Sequence, residues 1–252
     1  GVPPGDYRIA VDTADLPQGI DFQTLDPDST LDDQTTVTLP AGGAVTDVDF
    51  AYTATGYIGD TVFFDIDGDG LQGPTEPGIS GVWVIVSWHG ADGVLGTADD
   101  LVYNTTTVAN GTYIVTGLPA GQFNVALNPV TIPAGLSGDI DQTLPLAPGE
   151  GRDDVDFPLV GSGVIGDQVF EDLDLDGEFD PGEPGVPGVT VNATWAGFDG
   201  VVGTGDDVVF TAITDAGGQY AIGDLPAGDF RVAIEDGVLA SVDLACLRAC
   251  SD

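Results

Sequence analysis

The chain has 252 residues, with 42 acidic against four basic side chains, a formal charge of −38 at pH 7 and 42% hydrophobic residues. Such a surface repels nucleic acid and anionic lipid and attracts cations, which excludes nucleic-acid binding. The apolar content is ordinary for a folded protein and excludes a disordered acidic tail.

The chain has no lysine, no methionine and no visible signal peptide, and no apolar run reaches the ~18 residues that would span a membrane. The missing initiator suggests a processed or excerpted part of a longer product. Abundant Gly, Pro, Val and Thr with few helix formers favour an all-β fold.

In chain order, residues 1–56 match only the back half of a repeat. Val2-Pro3-Pro4-Gly5-Asp6-Tyr7 corresponds to Leu118-Pro119-Ala120-Gly121-Gln122-Phe123, and Asp47-Val48-Asp49-Phe50 to Asp154-Val155-Asp156-Phe157. Asp12-Thr13-Ala14 has the form of an aspartic-protease triplet, but that chemistry needs a second triplet to share its proton, and none follows. No catalysis is expected.

Residues 57–127 align with 164–234 without a gap and with 37 identities in 71 positions, so the chain is a tandem array. In each copy a strand opens the repeat (Val62-Phe63-Phe64; Val169-Phe170-Glu171) and leads into an aspartate-rich loop. Val82, Val84, Val86 and Trp88, matched by Val189, Val191, Ala193 and Trp195, then alternate as a strand with one buried face does. Tyr113 with Val115, and Phe123 with Val125 and Leu127, continue the pattern. Short strands and Gly-rich turns at this rhythm predict tandem Ig-like β-sandwiches of roughly a hundred residues each.

The expected domains are 1–56 (the C-terminal half of a sandwich), 57–163 (a full repeat) and 164–252 (a repeat lacking its last strand). The short linkers would be Ala51–Gly56 and Pro158–Gly163, each following an Asp-Val-Asp-Phe strand. Incomplete ends leave open strand edges. Either the chain is a piece of a longer array, or its ends complete one another between molecules by strand addition, giving a head-to-tail polymer.

The aspartate-rich loops carry the chemistry. Asp65, Asp67, Asp69, Gly70 and Glu76 recur 107 residues later as Asp172, Asp174, Asp176, Gly177 and Glu183. A hard cation takes six to eight oxygens, and a twelve-residue loop supplies them from positions 1, 3, 5, 7, 9 and 12, with glycine at position 6 for the turn. Position 7 gives a backbone carbonyl (Leu71, Glu178), and position 9 acts through water (Gly73) or directly (Asp180). Asp-Gly clusters also make plain solvated turns. Two matches in register, each with the twelfth-position Glu, favour calcium. The flanks read as strand and turn, not helix.

A second acidic loop also repeats, with Asp92, Asp99 and Asp100 matched by Asp199, Asp206 and Asp207. These three carboxylates and the loop carbonyls would suit a second calcium; a plain hairpin loop is the alternative. Asp60 and Asp167 stand ahead of the first loops and would join either site. The single His89 is matched by Ala196, so it reads as an exposed strand-end residue. Asn104, Asn110 and Asn192 begin glycosylation acceptor triplets on solvent-facing strands. Cys246 and Cys250 would close a small disulfide, join chains, or do neither; zinc is not favoured.

Together, Ile58-Gly59-Asp60-Thr61-Val62-Phe63, the Asp65–Glu76 loop, Gly81-Val82, Gly111-Thr112-Tyr113 and Leu118-Pro119-Ala120-Gly121 resemble the calcium-binding B domains of serine-aspartate-repeat surface adhesins of the SdrD type, related to collagen-adhesin Cna-B domains. The resemblance covers both full repeats. It implies a transthyretin-like sandwich serving as a stalk or spacer on a bacterial or archaeal surface, made rigid by calcium. It also implies ligands at Asp65, Asp67, Asp69, the Leu71 carbonyl and Glu76, and at Asp172, Asp174, Asp176, the Glu178 carbonyl and Glu183. Without lysine, the Lys–Asn or Lys–Asp isopeptide bond of many Cna-B relatives is impossible in this segment. The expected function is therefore a non-enzymatic, extracellular, calcium-rigidified stalk or filament subunit that self-associates or joins neighbouring repeats. The alternative is an adhesin module gripping a host, glycan or surface ligand.

Overall fold

The structure, a computed structural model, describes residues 1–234. Cys246 and Cys250 lie outside the described residues.

The fold is all-β. The first 54 residues form β1 (Gly5–Ala10), β2 (Ile20–Leu25), β3 (Gln34–Leu39) and β4 (Ala51–Ala54). The next copy supplies β5 (Gly56–Phe64), β6 (Trp83–Trp88), β7 (Leu101–Thr106), β8 (Thr112–Leu118), β9 (Gly121–Leu127), β10 (Leu136–Ser137), β11 (Asp141–Leu146), β12 (Gly151–Arg152) and β13 (Phe157–Gly161). The last supplies β14 (Gly163–Gln168), β15 (Thr190–Trp195), β16 (Val208–Ile213), β17 (Gln219–Leu225) and β18 (Phe230–Ile234).

The chain divides into two compact units. One comprises Gly1–Phe63, Gly78–Thr131 and Asp139–Phe157; the other comprises Phe64–Pro77, Ile132–Gly138 and the described residues from Pro158 on.

The first unit contains a β-sandwich. Antiparallel β5 and β8, with β12 parallel to β5, form one layer, and the sheet β11-β9-β6-β7 forms the other. The predicted alternation is borne out: Val84, Val86, Phe123 and Val125 are fully buried, and Tyr113 and Val115 are buried as well. The Tyr113 hydroxyl donates to Val155 O at 2.7 Å, so the polar tip of a core ring is satisfied. The first-segment pair β1–β3 occupies the places that β9 and β11 hold in the full repeat. Among the described residues, however, β1 has no partner on its other edge, whereas β9 also pairs with β6.

The second unit repeats the plan with β14–β17 as one layer and β16-β15-β18 as the other, around buried Val189, Val191, Ala193, Trp195 and Leu225. A buried threonine ties the same two turns in both copies. The Thr107 hydroxyl accepts from Val82 N–H and donates to Ile79 O, and the Thr214 hydroxyl does the same for Val189 and Val186.

A loop contact repeats as well. Ala120 N–H donates to Gln18 O at 3.0 Å and Ala227 N–H to Ala134 O at 3.3 Å. Gly19 and Gly135 lie against these alanines so closely that a Cβ would stand 2.7 and 2.4 Å from the alanine nitrogen, which leaves room only for glycine.

Two expectations need correction. The residues taken as linkers are strands: Ala51–Ala54 pairs with β2, and Val160 and Gly161 of β13 pair with β10. In the second run the carboxylate before the strand is engaged elsewhere, Asp156 accepting from Thr61 N–H. His89, expected in solvent, is 7% exposed. Its backbone N–H bonds Gln122 O, as that of Ala196 bonds Asp229 O, so the ladder continues one residue past the strand in both copies, and the side chain at this place is buried in both. The His89 Nε2 has no hydrogen-bond partner among the described residues.

Candidate metal centres

The two twelve-residue loops fold alike and share six backbone-to-carboxylate bonds at matched positions. In the first, Gly68 and Gly70 N–H donate to the two oxygens of Asp65 (2.8 and 3.0 Å), Asp69 N–H to Asp67, Leu71 N–H to Asp69, and Ile66 and Gly73 N–H to the two oxygens of Glu76 (2.7 and 2.8 Å). In the second, Leu175 and Gly177 donate to Asp172, Asp176 to Asp174, Glu178 to Asp176, and Leu173 and Asp180 to Glu183. Both position-6 glycines, Gly70 and Gly177, take left-handed backbone (φ 78° and 79°), where a side chain would be strained.

These bonds gather oxygens. Asp65, Asp67 and Glu76 offer ligand atoms within 4.8 Å of one another, as do Asp172, Asp174 and Glu183, and also Asp174, Asp176 and Asp180. Asp69 is outside the first trio. The donor set is hard oxygen throughout, which fits calcium and not a soft metal.

Burial distinguishes the first loop. Asp65 and Glu76 are 4% and 7% exposed, and among the described residues no ion pair reaches either. Desolvated like charges held this close are unfavourable unless a cation joins them. In the second loop Asp174 is pushed above the usual carboxylate range by desolvation and by its neighbours Asp176, Asp180 and Glu183.

The second acidic loops converge on a threonine. The Thr97 hydroxyl lies 3.4, 2.7 and 3.4 Å from Oδ1 of Asp92, Asp99 and Asp100, while Asp99 Oδ2 accepts from Ala91 N–H and Asp100 Oδ2 from Gly96 N–H. Hydrogen bonds to Thr97 and Ala91 hold Asp99 below the usual range, and Asp206 is lowered mainly by Thr204. In the second copy Thr204 lies 2.8 Å from Asp206 and 3.4 Å from Asp207, and Asp199 accepts from Val201 N–H.

Asp60 sits with Asp156 in the first unit rather than with a loop trio. Thr61 donates its N–H to Asp156 and its hydroxyl to Asp60, and burial followed by the Asp156 charge pushes Asp60 up to about 6. Asp167 is an exposed residue of β14 opposite Tyr220.

Of the acceptor asparagines, Asn104 and Asn110 are exposed, while Asn192 is half-buried and its Oδ1 accepts from Thr211. Asp12 caps a short 3₁₀ turn by accepting from Ala14 N–H, a structural role for the protease-like triplet.

One cluster was missed. Asp26, Asp28 and Asp32 also bring ligand atoms within 4.8 Å, with Asp26 buried and bonded by Gln23. A signal existed: the offset between matched residues of the first and second copies is 116 before this loop and 107 after it, so nine extra residues fall in this acidic stretch.

Residues 56–143 and 163–244 match the SdrD B-like domain model. The chain belongs to that family. Among curated proteins it is 29% identical over 227 residues to serine-aspartate repeat-containing protein F of Staphylococcus epidermidis (81% of this chain, 12% of that protein). It is 30% identical over 191 residues to protein C of Staphylococcus aureus (71% and 19%) and 28% identical over 249 residues to protein D (92% and 17%). These SdrD B-like repeats thus span less than a fifth of the relatives they match. Solved structures with a likeness to it include the Bacillus anthracis TIE protein (15% identity, TM-score 0.39, 80% of this chain and 31% of that one) and the shaft pilin SpaA of Lactobacillus rhamnosus GG (12%, 0.34, 72% and 88%). Among the described residues no helix is long and apolar enough to cross a membrane.

Proposed function

We propose that this chain is part of a non-enzymatic surface stalk, an array of β-sandwich repeats made rigid by calcium and displayed outside the cell. The observation that carries the reading is the pair of buried carboxylates, Asp65 and Glu76, gathered with Asp67 without a protein cation. Asp65, Asp67 and Glu76 would hold one ion with Asp69 and the Leu71 carbonyl nearby. Asp172, Asp174 and Glu183 would hold another, with Asp176, the Glu178 carbonyl and Asp180. The loops around Thr97 and Thr204 are further candidates through Asp92, Asp99 and Asp100, and Asp199, Asp206 and Asp207. A bound divalent cation supplies positive charge where the chain supplies almost none. Membership of the SdrD B-like family supports the surface setting.

Thermal unfolding in millimolar calcium and again in EDTA, at fixed ionic strength, tests this. A melting temperature lower by tens of degrees in EDTA is expected, since each ion bound only to the folded state adds roughly 2.7 kcal/mol at a hundredfold excess over its dissociation constant. An unchanged melt would return the loops to ordinary turns.

The open edge of β1 favours one further reading, in which a second copy adds a strand where β6 stands beside β9. Sedimentation of the full chain and of a chain lacking residues 1–56 checks it. Assembly that persists without those residues removes strand addition.

A further inference from the structure

The segment Phe64–Pro77, which contains the whole first calcium-type loop, packs as part of the second compact unit, not of the unit that holds the rest of β5. The residue responsible is Phe64, directly before Asp65. It is fully buried, its ring meets Trp195 edge-on at 5.7 Å and Phe210 at 6.3 Å, and both of those rings lie on the β15–β16 sheet. Trp195 in turn contacts Phe198, and Phe210 contacts Phe230 of β18.

The loop ends are tied at the same point. Phe64 N–H donates to Pro77 O and Asp65 N–H to Leu159 O, each at 2.9 Å. No residue separates the aromatic contact from the first carboxylate, so whatever fixes the loop fixes the ring. The second loop is closed in the same way, Glu171 N–H donating to Pro184 O at 2.9 Å. In place of the phenylalanine, however, it has Glu171, an exposed residue.

From this geometry we infer that a divalent cation in the Asp65–Glu76 loop acts as a latch on the β15–β16 sheet, through Phe64, and that the Asp172–Glu183 loop has no such reach. The inference rests on the calcium reading above and names what the first site regulates.

Hydrogen exchange of the full chain across a calcium titration, with calorimetric titration of the same samples, tests it. Calcium should slow exchange in residues 190–195 and 208–213 by about tenfold or more, since closing a local opening slows its amides in proportion. Glu76→Gln should abolish that slowing and Glu183→Gln should keep it. Phe64→Leu, milder than Phe64→Ala and chosen so that the unit stays folded, should keep the calorimetric stoichiometry while weakening the response in the two strands.

Calcium that binds but slows exchange only within residues 64–77 overturns the latch and leaves the calcium reading intact, as does an equal loss of strand protection in Glu183→Gln. Absence of any binding heat in the unmodified chain removes the calcium reading itself, and the latch with it.

Discussion

The Asp65–Glu76 and Asp172–Glu183 loops carry the same carboxylate bonds, yet their surroundings differ. The first is framed by buried side chains, with Phe64 at 0%, Asp65 at 4% and Glu76 at 7% exposure. The second faces water, with Leu173, Leu175 and Phe179 from 49% to 69% exposed. Local bonding therefore follows from the loop sequence, whereas the electrostatic demand for a cation follows from how much water the surroundings remove. The second loop also tolerates strain that the first avoids. Leu175 takes φ 68°, in the left-handed region, where the first loop has Gly68 at φ 74°.

The sharpest way to break the comparison is at its flank. Phe64→Ala should destabilise the second unit by about 3–5 kcal/mol, as for other buried phenylalanines, while Glu171→Ala at the matched position should stay within about 0.5 kcal/mol. Denaturant midpoints of the two variants measure the difference.

Next in size is the twelfth ligand. At a hundredfold calcium excess, Glu76→Gln should remove most of a stabilisation of roughly 2.7 kcal/mol. Glu183→Gln should remove less, because water already screens that loop; melts with and without EDTA report both.

Smaller still is the strain. Leu175→Gly should stabilise by about 1 kcal/mol, and Gly68→Leu should destabilise by about as much, since only glycine adopts this backbone freely. An unchanged midpoint in both would show that the loops absorb the strain equally.

A further effect lies outside the loops, at Asp60. Its pKa is raised to about 6 by burial and Asp156, so the folded state holds a proton that the unfolded chain releases near 3.8. Folding gains stability as pH falls through about 6 toward 4 and loses it on the way back up. In EDTA the melting temperature should rise modestly across that window. Asp60→Asn should flatten the rise relative to the parent; an identical slope would assign it to general relief of the acidic charge.

Much of this molecule was legible in its sequence. The period-2 runs at Val82–Trp88 and Val189–Trp195 identify strands with one buried face, because alternate side chains of a strand point to opposite sides whatever the fold. The ladders Asp65–Glu76 and Asp172–Glu183 identify the loops, because their ligand positions and turn glycine lie within twelve residues, and local sequence dictates local hydrogen bonds. The missed Asp26 cluster was of the same kind and showed as a break in repeat register.

Other features depend on residues far apart in the chain. Nothing in residues 51–56 shows that Ala51–Ala54 would find β2 as a partner and become a strand. Nothing beside His89 shows that its side chain would be buried. Phe64 and Glu171 occupy equivalent places in two repeats, and only tertiary packing put one against Trp195 and Phe210 and left the other in water. Burial is a property of the assembled core, so the sequence alone determined where the loop carboxylates gather, while the tertiary structure decided which loop is buried and what it is joined to.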